Sequence, residues 1–422
     1  MLAYAGGGLN TVLQIAFKPG RYGVSQYFGV QQDALAIALA VACATAALLL
    51  AVSRLEKPLV PSATAFVAGQ REALSLGLIM AIVAYAFASG QLGYKGIQLA
   101  GGSRSVSVVG SLAFTVNAAG AVFALYCCLK SETKSYKLFF GASFLLLLIL
   151  LIPQGRRIFT YTLVLVLMAV NLASDKNSFG RSKVKLIVAA VLGLALVYLT
   201  FQFFFALRLA TYSLGSASIG EAVSLTELIS KAYELLVAPS WAEELEYKLS
   251  ENILERTFIL RYFAELIAGS FRGANGLGGE VLVHSFLVSV PSLFLSDKST
   301  LLSGESEQFI LTHFSYTYVD SASTILTEGF ADFLLIGSFI YCFVTVAVLY
   351  IFLNIVRKSA YYSLYIFILF GILLSLFQAE TSLAGVFASL RNWLLIFVCL
   401  KLIEWARSAF SKSIELPLRA GH

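Results

Sequence analysis

Apolar runs about as long as a lipid bilayer is thick recur along this chain, and they leave few folds open to it. A helix rising about 1.5 Å per residue needs about 20 apolar residues to cross the hydrocarbon. Such runs lie at 34–52, 73–92, 107–129, 138–153, 158–173, 184–206, 333–356, 361–378 and 383–404. The fourth and fifth are short and reach the full length only by extending a turn across their boundaries. In lipid every backbone N–H and C=O must find its partner within the protein, so these runs are expected as helices. The expected fold class is all-α, a polytopic transmembrane helix bundle of about nine spans with a large helical loop outside it. Composition agrees: 13% of the 422 residues are charged, against about 25% in a soluble domain, and the mean hydropathy is +0.83.

The basic residues fall in loops beside the spans, so the net charge of +6 reports topology and contact with anionic lipid, and no nucleic-acid partner is expected. One set of alternate loops holds Arg54, Lys57 and Arg71; Lys130, Lys134 and Lys137; Lys176, Arg181, Lys183 and Lys185; Arg357 and Lys358; and the tail Arg407, Lys412 and Arg419. The other short loops hold only Lys95, Arg104 and the doublet Arg156-Arg157. The positive-inside rule makes the first set cytoplasmic. The chain then reads as an N-terminal bundle (1–206), an outward-facing helical loop (207–332) and C-terminal spans with a cytoplasmic tail (333–422). No cleavable signal peptide is visible, and the polar, Gly-rich first 33 residues suggest a further span upstream of the present start. The five cysteines all lie in apolar runs, which points away from disulfides and thiolate metal sites. Three histidines, one of them terminal, make a multi-histidine zinc site implausible, so no metal and no cofactor is expected.

The outward segment is too long for an ordinary connection. Residues 221–238 and 243–269 carry apolar side chains at helical spacing, such as Leu225, Leu228, Ile229 and Leu236, and read as amphipathic helices on the outer leaflet or on the spans. The apolar run 281–295 is interrupted by Pro291 and reads as re-entrant or interfacial. The tetrapeptide Gln154-Gly155-Arg156-Arg157 places two guanidinium groups between adjacent spans, on the side where short loops avoid Lys and Arg. A pair of arginines there is a ready clamp for an anion at the lipid surface.

Three ordered features resemble the Wzy-type oligosaccharide repeat-unit polymerases of O-antigen and exopolysaccharide synthesis. They are the Gly155-Arg156-Arg157 hairpin, the segment Pro291-Ser-Leu-Phe-Leu-Ser-Asp-Lys298, and Leu326-Thr-Glu328-Gly-Phe-Ala-Asp-Phe333 leading into the next span. The family has a short Gly-Ser-Arg turn, an Ile-Pro-Arg segment followed by Lys-Pro, and an acid-led entry ending Phe-Gly. This chain departs at each: Gln-Gly-Arg-Arg replaces the first, Ser292 stands where arginine is usual, and Leu334 stands where glycine is usual. The resemblance spans roughly residues 35–405. It implies a metal-independent, GT-C-type glycosyltransferase of the bacterial inner membrane, with its large loop periplasmic. The implied reaction is an inverting transfer of one undecaprenyl-diphosphate-linked oligosaccharide onto another, with the diphosphate lipid as leaving group. A chain-length regulator and a flippase are the protein partners it implies.

Such a reaction needs cations aimed at the leaving diphosphate and a base within reach of the acceptor hydroxyl. The expected cations are Arg156 and Arg157, assisted by Arg208, Arg272 and Arg391, with Lys298 carried over from the family's basic position. Arg391 lies about two turns into the last span, where an arginine costs about 2.5–3.5 kcal/mol on insertion scales and by default marks a site. Its plainer explanation is a pair with Glu380; for the Arg156-Arg157 doublet it is snorkelling to headgroups, and for Arg208 an interfacial anchor. The expected bases are Glu328 and His313, with Asp332 and His284 behind them. Glu328 and Asp332 are four apart and share a helix face, where acids in a first turn also simply favour the helix dipole. His313 lies among Phe309, Phe314, Tyr316 and Tyr318, rings suited to stacking on sugars or to plain packing. The Gly-rich run Arg272 to Gly279 lacks the preceding strand of a nucleotide fold. Two alternatives stay open: an O-antigen ligase, which usually centres on a histidine of the outer loop, and a polysaccharide transporter or flippase, which tends to show repeated halves.

Overall fold

The computed structural model describes residues 31–55, 66–89, 108–151, 156–173, 198–199, 202–207, 209–210, 213–214, 225–241, 243, 259–290, 295, 306–314, 323–359, 362–377 and 381–415. Every regular element among them is helical. In chain order they are α1 (Gln32–Leu55), α2 (Gln70–Ala88), α3 (Val108–Lys130), α4 (Lys134–Ile149), α5 (Arg156–Ala173), α6 (Leu225–Leu236), α7 (Ile259–Phe271), α8 (Glu280–Ser289), α9 (Ser306–His313), α10 (Ile325–Ser359), α11 (Tyr362–Phe377) and α12 (Leu383–Glu415). Five stretches, within α1, α2, α3, α10 and α12, are long and apolar enough to cross a membrane. The apolar parts of α5, α8 and α11 are shorter. The expected span at 184–206 lies almost wholly outside the described residues.

α3 is the hub of the bundle, with α2, α4, α5, α11 and α12 packed around it. Its run of small residues, including Ala113, Ala118, Ala119, Gly120 and Ala121, lets neighbours approach closely; a Cβ on Gly120 would lie 2.9 Å from Ile79 Cγ2. On the far side of α11, the indole of Trp393 lies directly on Gly371 and edge-on to Phe367. α2 is tied to α11 through the buried Glu72, which accepts from the Gly69 amide (2.9 Å) and from the Ser363 hydroxyl (2.7 Å).

A second core joins α1 to elements far along the chain. α1 packs on α7 and α10, so a helix assigned by sequence to the N-terminal bundle shares its core with the 207–332 segment. α7 is buried along nearly its whole length (Leu260, Phe263, Leu266, Ile267) and rests on spans, one of the two placements expected for it. α6 turns Ala232 and Leu236 toward Phe204, Phe205 and Trp241, and leaves Ile229 and Tyr233 exposed.

α10 does not begin as one straight span. It is two helices meeting at Phe333 and Leu334, whose backbone angles are not helical. A short arm, 325–332, there folds back against the long arm that follows. Gly329 and Gly337 meet where the arms cross, and the Ser338 hydroxyl donates to the Leu326 carbonyl at 2.9 Å. The long arm shows Ile336, Ile340, Val344, Ile351 and Ile355 on its outer side, as lipid contact requires. Leu334 sits at φ 53°, ψ −144°, a conformation at home to glycine. A side chain held there costs about 1–3 kcal/mol. Leu334→Gly is therefore expected to raise the thermal unfolding midpoint of the detergent-purified chain, by about 1 kcal/mol once the lost leucine packing is set against the relieved strain. An unchanged or lowered midpoint would show that packing dominates.

Candidate functional site

The candidate residues gather around α8. The loop from Arg272 to Gly279 reaches it through three glycines at positive φ (273, 278 and 279). Loop amides of Leu277 and Gly278 donate at 2.9 Å to the carbonyls of Ala331 and Asp332, the bare C-terminal carbonyls of the short arm of α10. A Cβ on Gly276 would overlap the Asp332 carbonyl, so only glycine lets the loop lie this close. In return the Asp332 carboxylate caps α8: Oδ1 accepts from Val281 N–H (2.9 Å), and Oδ2 from Leu282 N–H (3.0 Å) and the Tyr341 hydroxyl (2.5 Å). An anion is favoured at a helix N-terminus, and both oxygens are engaged. Asp332, 1% exposed, thus joins helices instead of facing a substrate.

Glu328 does the same for α12. Its Oε2 accepts from Leu383 N–H at 2.6 Å and its Oε1 from the Ser323 hydroxyl at 3.3 Å, with the residue 0% exposed. The shared face predicted for Glu328 and Asp332 exists, and it points into two helix N-termini. Both acids are buried with both oxygens accepting from described donors.

α8 runs alongside α12, with Phe286 edge-on to Phe387. It ends at Ser289, and Val290 is extended (φ −64°, ψ 133°), as a residue preceding proline must be. The helix therefore accompanies the first turns of a candidate span and stops at its Arg391; the rest of the run 281–295, after Val290, lies outside the described residues except for 295. Arg391 donates through Nη1 to the Ser289 carbonyl, closing the C-terminal end of α8 with a cation. Its Nε and Nη2 donate to Asn392 Oδ1 (3.1 and 3.0 Å), and Nη2 also reaches Ser111 Oγ (3.4 Å). Asn392, 2% exposed, donates through Nδ2 to Ser111 Oγ (2.9 Å) and Thr115 Oγ1 (2.8 Å) on α3. Glu380, the partner of the plainer explanation, lies outside the described residues, and among the described residues every partner of the guanidinium is neutral.

His313 closes the opposite end. It is exposed and edge-on to Phe314, and its Nε2–H donates to the Asn275 backbone carbonyl at 2.8 Å. In the neutral imidazole that leaves Nδ1 with the lone pair. Arg272, also exposed, stands three residues before Asn275 in the same loop. The length of α8, about 15 Å, separates this group from Arg391, so the candidates form two clusters. His284 is half-buried on α8 itself, with Nδ1 unpartnered. Arg156 and Arg157 open α5, but their side chains, together with Arg208 and Lys298, lie outside the described residues, as does Glu380.

Ser111, Thr115 and Asn392 are absent from the sequence reading. Their signal was present: hydroxyls four apart put two polar groups on one face of an apolar helix, and the adjacent Arg391-Asn392 puts two more in another. Compared with protein-family models, curated proteins and solved structures, the chain matches none of them.

Proposed function

We propose that this chain is a membrane glycosyltransferase that joins lipid-diphosphate-linked oligosaccharide repeats, in the manner of the polymerases it resembles. The observation that carries the proposal is Arg391: a guanidinium inside an apolar helix, held among the described residues by neutral partners alone, beside a helix that stops at its level. A membrane protein tolerates such a cation where an anion is to be met at that depth. The diphosphate of a polyprenyl carrier is such an anion. The backbone at 334 lends further support, because Leu334 takes up a glycine conformation where the family carries glycine.

The positive-inside pattern supports a non-cytoplasmic position for the start of α12, and with it α8; the resemblance implies that the membrane is a bacterial inner membrane. In the reaction an acceptor sugar hydroxyl attacks the anomeric carbon of the donor. The new C–O bond forms as the bond to diphosphate breaks, and the diphosphate departs with the electron pair toward Arg391. The hydroxyl proton passes to a base. No described base lies beside Arg391: His313, with Nδ1 open, stands the length of α8 away, outside the reach that one reaction centre requires. Together with Arg156, Arg157, Arg208, Arg272 and Lys298 it remains a proposed contact of the substrates. An exposed, oriented histidine equally suits the ligase-type alternative.

Deleting the gene in its native host is expected to abolish the glycan ladder while single repeats are still capped, and wild-type complementation should restore it. Long polymer left on its carrier would favour the ligase reading. An unchanged ladder in a host without a second polymerase would overturn both.

A further inference from the structure

We infer that Asn392 is a positioning residue that holds Arg391 as an uncompensated cation, so that this point of the bundle takes a phosphate-type anion from outside the chain. The inference rests on the glycosyltransferase reading above for the identity of that anion, and on hydrogen-bond geometry for the role of Asn392.

The polarity of the network follows from one end. The Thr115 hydroxyl donates its proton to the Ser111 carbonyl at 2.9 Å, so its oxygen can only accept from Asn392. The atom of Asn392 facing it at 2.8 Å is therefore the amide nitrogen, whose second hydrogen goes to Ser111 Oγ at 2.9 Å. Both amide hydrogens are spent on α3, and Oδ1 is left facing Arg391. There that one oxygen accepts from both Nε and Nη2, orienting the guanidinium without cancelling its charge. Ser111 Oγ takes the other hydrogen of Nη2, and the Ser289 carbonyl one of the two on Nη1. One N–H of Nη1 and the whole positive charge stay uncommitted among the described residues. A single anionic oxygen of a phosphate or diphosphate completes that set. Aspartate at 392 would keep the contact and remove the charge.

The test is titration of the full chain, purified in the phosphate-free detergent dodecyl maltoside, with farnesyl diphosphate, phosphatidylglycerol, inorganic phosphate and the uncharged farnesol. Melting midpoints are recorded in parallel for wild type, Asn392→Ala and Asn392→Asp. Wild type is expected to bind farnesyl diphosphate and not farnesol. Asn392→Asp should weaken that binding by about tenfold or more, because an internal anion competes for the guanidinium, yet melt no lower than Asn392→Ala. Asn392→Ala, which keeps the charge and loses the orientation, should fall between in affinity. Opposite orderings of the two variants in binding and in melting are what a merely structural asparagine would not give. Parallel losses, or an aspartate variant that binds as wild type does, would overturn the inference and leave the glycosyltransferase reading standing. Equal binding of phosphatidylglycerol would uphold the anion site and overturn its assignment to a lipid-diphosphate donor. Wild type that binds no phosphate-bearing probe would overturn both.

Discussion

Gly337→Ala is expected to destabilise the protein by about 3 kcal/mol or more. The added carbon would overlap the carbonyl of Gly329 across the fold of α10 and press on Phe333 Cβ. The obstacle is backbone, and no rotamer change can move it aside. Ordinary overpacking costs about 1–3 kcal/mol because side chains give way. Here the arms would have to part, and the same short arm carries the Glu328 and Asp332 caps. The loss should therefore spread to α8 and α12. Gly77→Ala is the control: a Cβ there meets nothing within 4 Å, and helix propensity should make that substitution neutral or stabilising by up to about 1 kcal/mol. Thermal unfolding of the purified variants separates the two cases, and equal midpoints would mean that the arms do not cross as closely as described.

Arg391→Ala is expected to lower glycan transfer by about 100-fold or more, the scale lost when a fixed donor to developing negative charge is removed. The measurement is turnover of a lipid-diphosphate-linked repeat by purified protein, at matched folded fraction. Matching matters because Arg391 also closes α8 at Ser289, so the alanine variant should melt lower as well as react slower. Arg391→Lys separates the two roles. Lysine keeps the charge and can still reach one carbonyl, but it cannot span Asn392 Oδ1 with two N–H groups. It should preserve most of the stability and lose about tenfold in turnover. Wild-type turnover in the alanine variant would remove Arg391 from the reaction and leave it a helix-closing residue alone.

The bundle was legible because its signal is local and repeated: about 20 apolar residues in a row suffice to specify a helix in lipid. The halt at Pro291 was legible for the same reason. The fold of α10 was not, since Phe333 and Leu334 are ordinary helix residues by propensity, and only tertiary packing holds them out of helix. The acids were found as a pair on one face, but their partners lie 51 and 55 residues away in sequence, beyond any periodicity. What the sequence does not show of Glu328 and Asp332 is that they link helices. Arg391 stands out by the cost of placing it in lipid, while the neutral amide of Asn392 beside it signals only as one more polar group in an apolar helix.

The closure of α8 at both ends by later parts of the chain sets an order of events during synthesis. Asp332 follows Val281 by 51 residues, and Arg391 follows Ser289 by 102. At about 5–20 residues per second, the ribosome delivers that arginine roughly 5–20 s after the serine whose carbonyl it will hold. Until then the far end of α8 depends on water, lipid headgroups or the insertion machinery for its polar contacts. This part of the protein is thus assembled backwards, with an earlier helix completed by a later one.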